Sequence, residues 1–368
     1  MDPALLQPIW SEAEKLRRER AAIGCLLGTA AGDAIGLPAE GLSRRRQLRW
    51  FPQLERHRLV FGHGMCSDDT DHACMLAQSI IASGAHPRRF VQSFAWRLRF
   101  WFLGLPAGIG YATLRSILKL WLFVPPQVSG VHSAGNGPAM RSAILGVCFE
   151  HDDALLVMHN SAAATITHRD AKAEIGALAI ALAARSAMRG EGAVEYLAHL
   201  RRFGTPFGEA GRELQALAER AQASAAAGAS TAEFAASYGC ATGVTGYMYH
   251  SVPAALHAWF SHPDDFRAAV QAVIRCGGDT DTTAAMVGAI VGARVGREGI
   301  PPQWLSGIRD WPRGLPWIEE VARRAVVAAA TRTRQHTLWI PPWWLLARNA
   351  LFMIIVLAHG FRRLGPPY

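Results

Sequence analysis

Apolar residues that recur every three or four positions place most of this chain in helices. Residues 170–190 read DAKAEIGALAIALAARSAMRG and residues 209–228 read EAGRELQALAERAQASAAAG, and each segment carries one apolar face at helical spacing. Runs of alternating β-branched residues bounded by turns, which are typical of strands, are hardly present. The pattern therefore predicts an all-α protein without a sheet of any size.

Glycine recurs at every fourth position near the amino terminus and again late in the chain. Ser11 and Glu14 fit a capping box, which predicts a helix that starts at about Glu12 and runs into the glycine-rich stretch. Positions 24, 28, 32 and 36 are glycine, and positions 288, 292 and 296 repeat the spacing. A helix face without side chains lets two backbones approach closely. The spacing predicts a tight helix pair, which either packs the core or frames a site.

The composition excludes several other classes of protein. The 368 residues are 50% hydrophobic, which is enough for one large domain with appendages or for two domains. Six cysteines lie scattered without a CxxC pair, so the pattern indicates neither a zinc ribbon nor a disulfide framework. The net charge is +9, but the arginines are dispersed, so no specific nucleic-acid platform is evident. The first residues do not read as a secretory signal, and we expect a cytoplasmic protein.

The composition changes near residue 331, so we divide the chain into a helical domain, 1–330, and an apolar tail, 331–368. The uninterrupted apolar core of the tail, 350–358, is shorter than the roughly 20 residues that span a bilayer. Tryptophans flanked by arginines are typical of a helix that lies at a membrane interface. The tail is therefore either a peripheral membrane contact or an arm packed on the main domain or on a second subunit. The residues concerned are Trp339, Trp343, Trp344, Arg348, Arg362 and Arg363.

Two acidic clusters, SDDTDHA at 67–73 and GGDTDT at 277–282, each precede an apolar helical segment. One carboxylate would cap a helix, yet each cluster has at least two. Neighbouring carboxylates repel each other unless a cation compensates them, and oxygen ligands suit Mg²⁺ or Mn²⁺. On pattern alone the clusters are either helix caps or metal ligands. The helix that follows the first cluster should end at Gly84.

Six segments, in this order and spacing, resemble the ADP-ribosylglycohydrolase family. They are GCLLGTAAGDAIGLPAE (24–40), SDDTDHA (67–73), PAGIGYAT (106–113), AGNGPAMRSAILG (134–146), THRDAKAEIGALAIALAA (167–184) and CGGDTDTTAAMVGAIVGARVG (276–296). The resemblance implies an all-α orthogonal multi-helix bundle with a binuclear site for two Mg²⁺ or Mn²⁺ ions. The family's metal ligands match Ser67, Asp68, Asp69, Asp279, Asp281 and Thr282, with serine at 67 in place of the usual threonine.

The resemblance also implies roles in catalysis and substrate binding. Glu40 matches a mobile acidic residue near the scissile bond, where a carboxylate free of metal can act as general acid or base. Either Glu40 or a carboxylate of the metal shell, Asp69, is expected to handle the proton. The diphosphate and ribose contacts of the family correspond to Gly108, Gly110, Gly135, Asn136, Gly137 and His168.

The expected activity is hydrolysis at the anomeric carbon of ribose, which releases ADP-ribose from an ADP-ribosylated substrate. The acceptor is a protein side chain, a nucleic acid or a small molecule, and the motifs do not distinguish among them. One alternative is a two-metal nucleotide phosphohydrolase, because the same acids suit cleavage of phosphate esters. The other is a non-catalytic ADP-ribose-binding protein that has kept the fold.

Overall fold

The computed structural model describes residues 10–365, and helices dominate that part of the chain. The described residues form no β-strand, only isolated bridges such as the one between Leu42 and Gly278. The prediction of an all-α protein is confirmed. The helices are α1 (Glu12–Gly36), α2 (Arg44–Trp50), α3 (Asp68–Ser83), α4 (Pro87–Leu103), α5 (Tyr111–Trp121), α6 (Ala139–Cys148), α7 (Asp153–Thr165), α8 (Ala171–Arg189), α9 (Ala193–Gly204), α10 (Gly208–Ala226), α11 (Thr231–Ser237), α12 (Met248–Ser261), α13 (Phe266–Ile274), α14 (Thr280–Val295), α15 (Pro302–Ser306), α16 (Leu315–Thr331) and α17 (Pro342–Arg362).

Helix α1 packs against α14 along the two rows of glycine. A Cβ atom added to Gly28 would lie 2.1 Å from the carbonyl oxygen of Gly288, and one added to Gly24 would lie 2.0 Å from that of Gly292. Only glycine allows two backbones this close, so the predicted tight helix pair is confirmed. Ser11 caps α1 by accepting a hydrogen bond from the amide of Glu14, as the sequence indicated.

The close pair brings the end of α1 to the start of α14. The hydroxyl of Thr280 donates a 2.9 Å hydrogen bond to the carbonyl of Gly36, which is the last residue of α1. The start of α3 lies beside the same part of α1, because the amide of Ser67 donates to the carboxylate of Asp33. Three helices therefore meet at one point, each contributing an acid.

The other periodic segments form the helices that the sequence predicts. Helix α8 begins after Asp170, whose side chain accepts from the amide of Lys172, and is buried for most of its length. Helix α10 covers the second periodic segment. Helix α3 ends at Gly84 in the left-handed conformation that suits a glycine C-cap, as expected.

Residues 332–365 lie along the surface of the main domain. The buried Arg348 side chain bonds to Asp310 and to the carbonyl of Cys66, so it is not displayed outward as the interfacial pattern required. By length and hydropathy α17 is long enough to cross a membrane, but so is the segment Glu12–Ala39, which is 94% buried core. In α17 only 17% of the corresponding apolar window is buried. The domain boundary at 330 stays a prediction.

Candidate active site

Three buried carboxylates converge where α1, α3 and α14 meet. One oxygen from each of Asp33, Asp69 and Asp281 lies within 4.8 Å of the other two. Oδ1 of Asp69 and Oδ1 of Asp281 are buried and have no hydrogen-bond partner among the described residues. Buried acids are normally paired with a cation or fully hydrogen-bonded. The orphaned oxygens and the all-oxygen donor set therefore fit a divalent cation of the Mg²⁺ or Mn²⁺ type.

Asp33 is the member of this cluster that the sequence analysis missed. Its Oδ2 accepts hydrogen bonds from the amide of Ser67 at 2.8 Å and from the hydroxyl of Thr70. These bonds tie α1 to the start of α3. Burial raises the pKa of Asp33 to about 7, although the hydrogen bonds from Thr70 and Ser67 oppose the shift. The available signal was the single charged residue within the apolar, glycine-rich stretch 21–39, where a charge is costly to bury.

Two hydroxyl groups converge on Asp69. The side chains of Ser67 and Thr282 donate hydrogen bonds to its Oδ2, at 3.1 and 3.2 Å. Burial raises the pKa of Asp69 well above its usual range, and the charge of Asp33 adds to the effect. Serine at position 67 thus places its oxygen on the same carboxylate as Thr282. Of the predicted ligands, Ser67, Asp69, Asp281 and Thr282 come together here.

Asp68 and Asp279 lie half-buried at the edge of the cluster rather than inside it. Oδ2 of Asp279 accepts a 2.6 Å hydrogen bond from the side-chain amide of Asn136. Burial raises the pKa of both acids; the charge of Asp33 further raises that of Asp68, whereas the bond from Asn136 opposes the rise in that of Asp279. Neither belongs to the group of three buried acids, and their ligand role stays a prediction.

Glu40 follows the short turn that ends α1 and has an exposed side chain. The protein packed around it and the charge of Asp279 raise the pKa of its carboxyl group, while Arg363 lowers it. Its backbone carbonyl accepts a 2.7 Å hydrogen bond from Arg363, which also donates to the carbonyl of Pro38. His359 bonds to the Pro38 carbonyl as well, at 2.9 Å. The end of α17 and the residue that follows it therefore hold the segment that carries Glu40.

His168 lies against the glycines of the AGNG segment. A Cβ atom at Gly135 would be 3.1 Å from its Nε2, and one at Gly137 would be 3.1 Å from its Cε1. Burial lowers the pKa of His168 to about 3, so its imidazole is neutral. Its Nδ1 lies 2.9 Å from the hydroxyl of Thr167, which accepts a bond from the buried Arg141. Arg141 lies within the segment AGNGPAMRSAILG but had no predicted role, and the structure shows that it positions Thr167 beside the histidine.

Gly108 and Gly110 lie in a more open place. Gly108 has a φ of +78°, and no atom of the described part of the chain lies within 4 Å of where its Cβ would be; Gly110 directly precedes α5. Thr113, one turn into α5, has its hydroxyl 3.8 Å from the Cβ position of Gly137. The first glycine segment therefore borders the second, although contact of either with a ligand stays a prediction.

The sequence matches the ADP-ribosylglycohydrolase family profile over residues 14–336. This match covers most of the chain. The protein belongs to the ADP-ribosylglycohydrolase family. Helix α17 and the last part of the preceding arm lie beyond the matched residues.

Several proteins, one of them uncharacterised, are similar to this chain in sequence or in structure. An uncharacterised protein of Archaeoglobus fulgidus is 30% identical over 82% of this chain and 94% of its own length. The ADP-ribosyl-[dinitrogen reductase] glycohydrolase of Rhodospirillum rubrum is 25% identical over 77% of this chain and 89% of its own. A solved ADP-ribosylglycohydrolase-related protein complex superimposes with a TM-score of 0.63 at 26% identity, covering 85% of this chain and 99% of that one.

The family assignment confirms the expected all-α bundle. In this ADP-ribosylglycohydrolase the three buried carboxylates lie at the meeting point of α1, α3 and α14. Glu40, Asn136 and Asp279 lie around this cluster. The arrangement combines a buried acidic cluster that could hold a cation with a carboxyl group outside it, and both groups can serve hydrolysis at a sugar carbon.

Proposed function

We propose that this protein removes ADP-ribose from a modified acceptor by hydrolysing the bond at the anomeric carbon of ribose. The observation that carries the proposal is the convergence of Asp33, Asp69 and Asp281 with two orphaned oxygens. A family member that had lost catalysis would have no need to keep three mutually repelling carboxylates buried together.

The proposed cofactors are two Mg²⁺ or Mn²⁺ ions. Asp33, Asp69 and Asp281 would hold them together with the flanking groups Ser67, Asp68, Asp279 and Thr282. When bound, such ions supply Lewis acidity toward ribose hydroxyls and water. The hydroxyls of Ser67 and Thr282 keep Asp69 in one orientation, so the donor oxygens are preorganised before binding.

The proton is assigned to Glu40, because its carboxyl group lies outside the acid cluster. Its raised pKa leaves the group able to carry a proton nearer neutrality than an ordinary glutamate, which suits a general acid or base. The side-chain amide of Asn136 holds the carboxylate of Asp279 by a 2.6 Å hydrogen bond. The neutral imidazole of His168 is proposed to bond a ribose hydroxyl through its Nε2, next to glycines whose amides approach the diphosphate.

A modified protein is the acceptor we favour. The name of the R. rubrum relative states that its substrate is ADP-ribosylated dinitrogen reductase, which is a protein. A cytoplasmic location is also proposed, because all six cysteines are buried and unpaired, as they would be in a reducing compartment. Cell fractionation checks the location.

The decisive experiment incubates the purified protein with Mg²⁺ or Mn²⁺ and with arginine-linked, serine-linked and nucleic-acid-linked ADP-ribose. Mass spectrometry should detect free ADP-ribose from one linkage, and a chelator should abolish the release. Asp281→Ala should remove metal binding and turnover while the far-ultraviolet circular dichroism stays that of the wild type. Release of AMP would instead support a phosphohydrolase, and binding of ADP-ribose without cleavage of any linkage would support a non-catalytic binding protein.

A further inference from the structure

The outward face of α17 is apolar from Pro342 to Phe361. Between Pro342 and Phe361 no exposed side chain of this helix is charged. Its polar residues instead face the protein, where Arg348 and Asn349 are buried. A helix of 21 residues is about 30 Å long, so the exposed apolar surface is extensive. We call this surface the outward face; its large members are Trp343, Leu346, Leu351, Ile354, Leu357 and Phe361.

Exposed apolar residues of the main domain extend the outward face. The side chain of Asn349 donates a 2.7 Å hydrogen bond to the carbonyl of Gly104, which places the end of α4 beside α17. Phe100, Leu103 and Leu105 around that point are all exposed. Contiguous apolar surface of this extent is rare on monomeric soluble proteins and marks an interaction site.

Positive charge lies at the carboxyl-terminal end of the outward face. Arg46 on α2 donates to the carbonyl of Arg363, and the guanidinium of Arg362 lies 5.9 Å from the ring of Trp50. These contacts place α2, on which Arg45 is exposed, beside the end of α17, on which Arg362 is exposed. At the other end of α17, Trp343 is exposed. An apolar stripe with tryptophan and arginine at its ends is typical of a helix that lies in a membrane interface.

We propose that the outward face of α17, together with the arginines of α2, binds the surface of an anionic lipid bilayer. The lipid supplies both the apolar environment and the negative charge that this surface lacks. A second copy of the chain would cover the apolar residues but would bring its own net charge of +9. The helix lies in the plane of the interface and does not cross it, because crossing would break the buried bonds of Arg348 to Asp310 and Cys66.

Binding is measured by co-sedimentation of the full chain with vesicles of phosphatidylcholine alone or mixed with phosphatidylglycerol. We expect the protein to bind the mixed vesicles and to be released by high salt or, without detergent, by alkaline carbonate. The double variant Ile354→Glu with Phe361→Glu should reduce the bound fraction about tenfold or more, since it places two carboxylates on the apolar face. Its matched control is Val194→Glu on α9, which is 71% exposed and remote from α17 along the chain, and which should bind as the wild type does.

A second pair of variants tests the charge. Arg45→Glu with Arg362→Glu should lose the preference for phosphatidylglycerol. If the double variant of α17 does not fold, a milder change still tests the proposal. Brominated lipid should quench the tryptophan fluorescence of the wild type, and the quenching should be weaker in Trp343→Phe. Equal binding of wild type and charged variants, absence of binding to either vesicle, or retention of the protein in the membrane after carbonate would each overturn the proposal. A wild-type dimer that Ile354→Glu dissociates, without vesicle binding, would identify a second copy as the occupant.

Discussion

At the scale of single residues, Asp33 gives the most direct test of the metal site. Replacing it with asparagine keeps an acceptor oxygen for the amide of Ser67 but removes one of three buried charges. We expect Asp33→Asn to weaken Mn²⁺ binding by more than about 100-fold, and turnover to fall with it. Titration calorimetry on the metal-free protein measures the affinity. Asp264→Asn, which changes an exposed acid paired with Arg294, should leave it unchanged.

A mutant that bound Mn²⁺ as tightly as the wild type would remove Asp33 from the ligand set. The unfolding free energy without metal gives an independent check. It should not fall in Asp33→Asn, because burial makes the charged form of Asp33 costly and raises its pKa to about 7. A large loss of stability would indicate a structural role for this carboxylate.

Arg363 is expected to position Glu40. Its guanidinium holds the carbonyls of Pro38 and Glu40, so Arg363→Ala should loosen the segment that carries the proposed acid or base. We expect kcat to fall about tenfold, because small displacements of a reacting group are costly. Mn²⁺ affinity should not fall, since the change removes a positive charge from the neighbourhood of Asp281.

The neighbouring Arg362→Ala removes the same charge from an exposed position and serves as the control. It should leave kcat at the wild-type value. If Arg363→Ala raised KM without lowering kcat, the arginine would be a substrate-binding residue and the positioning role would be wrong.

At the scale of elements, the contact between α1 and α14 sets the geometry of the acid cluster. Gly28→Ala would place a Cβ atom 2.1 Å from the carbonyl oxygen of Gly288, so the helices must separate. We expect the free energy of unfolding to fall by about 3 kcal/mol. The Mn²⁺ affinity should fall too, because α1 carries Asp33 and α14 carries Asp281. Urea denaturation and calorimetry measure the two effects.

Gly360→Ala is the matched control within a helix. Its Cβ would meet no atom of residues 10–365 within 4 Å, so alanine should stabilise the helix slightly, by about 0.5–1 kcal/mol. Equal stability of the two variants would show that the glycine rows are not what brings the helices together.

Local patterns predicted the helices well because spacing and caps act within a few residues. Ser11, Asp170 and Gly84 mark helix ends by bonds that the sequence itself suggests. Asp33 escaped prediction because its partners, Ser67 and Thr70, lie more than thirty positions away and only the packing of α1 on α3 brings them near. A long-range contact of this kind leaves no local pattern in a single sequence.

At the scale of the whole molecule, the tail shows where composition misleads. Tryptophans and arginines suggested a single amphipathic helix with its arginines displayed. In the structure these arginines lie in different environments. Arg348 is buried against Asp310, whereas the exposed positive charge comes from Arg362 at the end of the helix and from the neighbouring α2. The residue types were informative, but which face each would occupy depended on contacts with the main domain.

The dependence of stability on pH sums opposing groups over the whole molecule. Burial against Phe149 and Phe90 lowers the pKa of His159 to about 4, whereas burial raises that of Asp33 to about 7. A histidine with a lowered pKa takes up its proton first in the unfolded chain. Its contribution to stability is therefore complete above about pH 6.5 and is lost as the pH falls toward 4. A carboxylate with a raised pKa acts in the opposite direction.

Comparing two variants separates the contribution of His159 to the pH dependence of stability from that of the other groups. In the presence of a chelator, His159→Gln should flatten the loss of unfolding free energy between pH 6.5 and pH 4, by up to about 3 kcal/mol at the lower end. Phe149→Leu removes packing from the same place without removing a titrating group, so it should lower stability by a similar amount at every pH. If the two variants changed the pH profile alike, the slope would come from loss of packing around α7, and His159 would titrate similarly in the folded and unfolded chain.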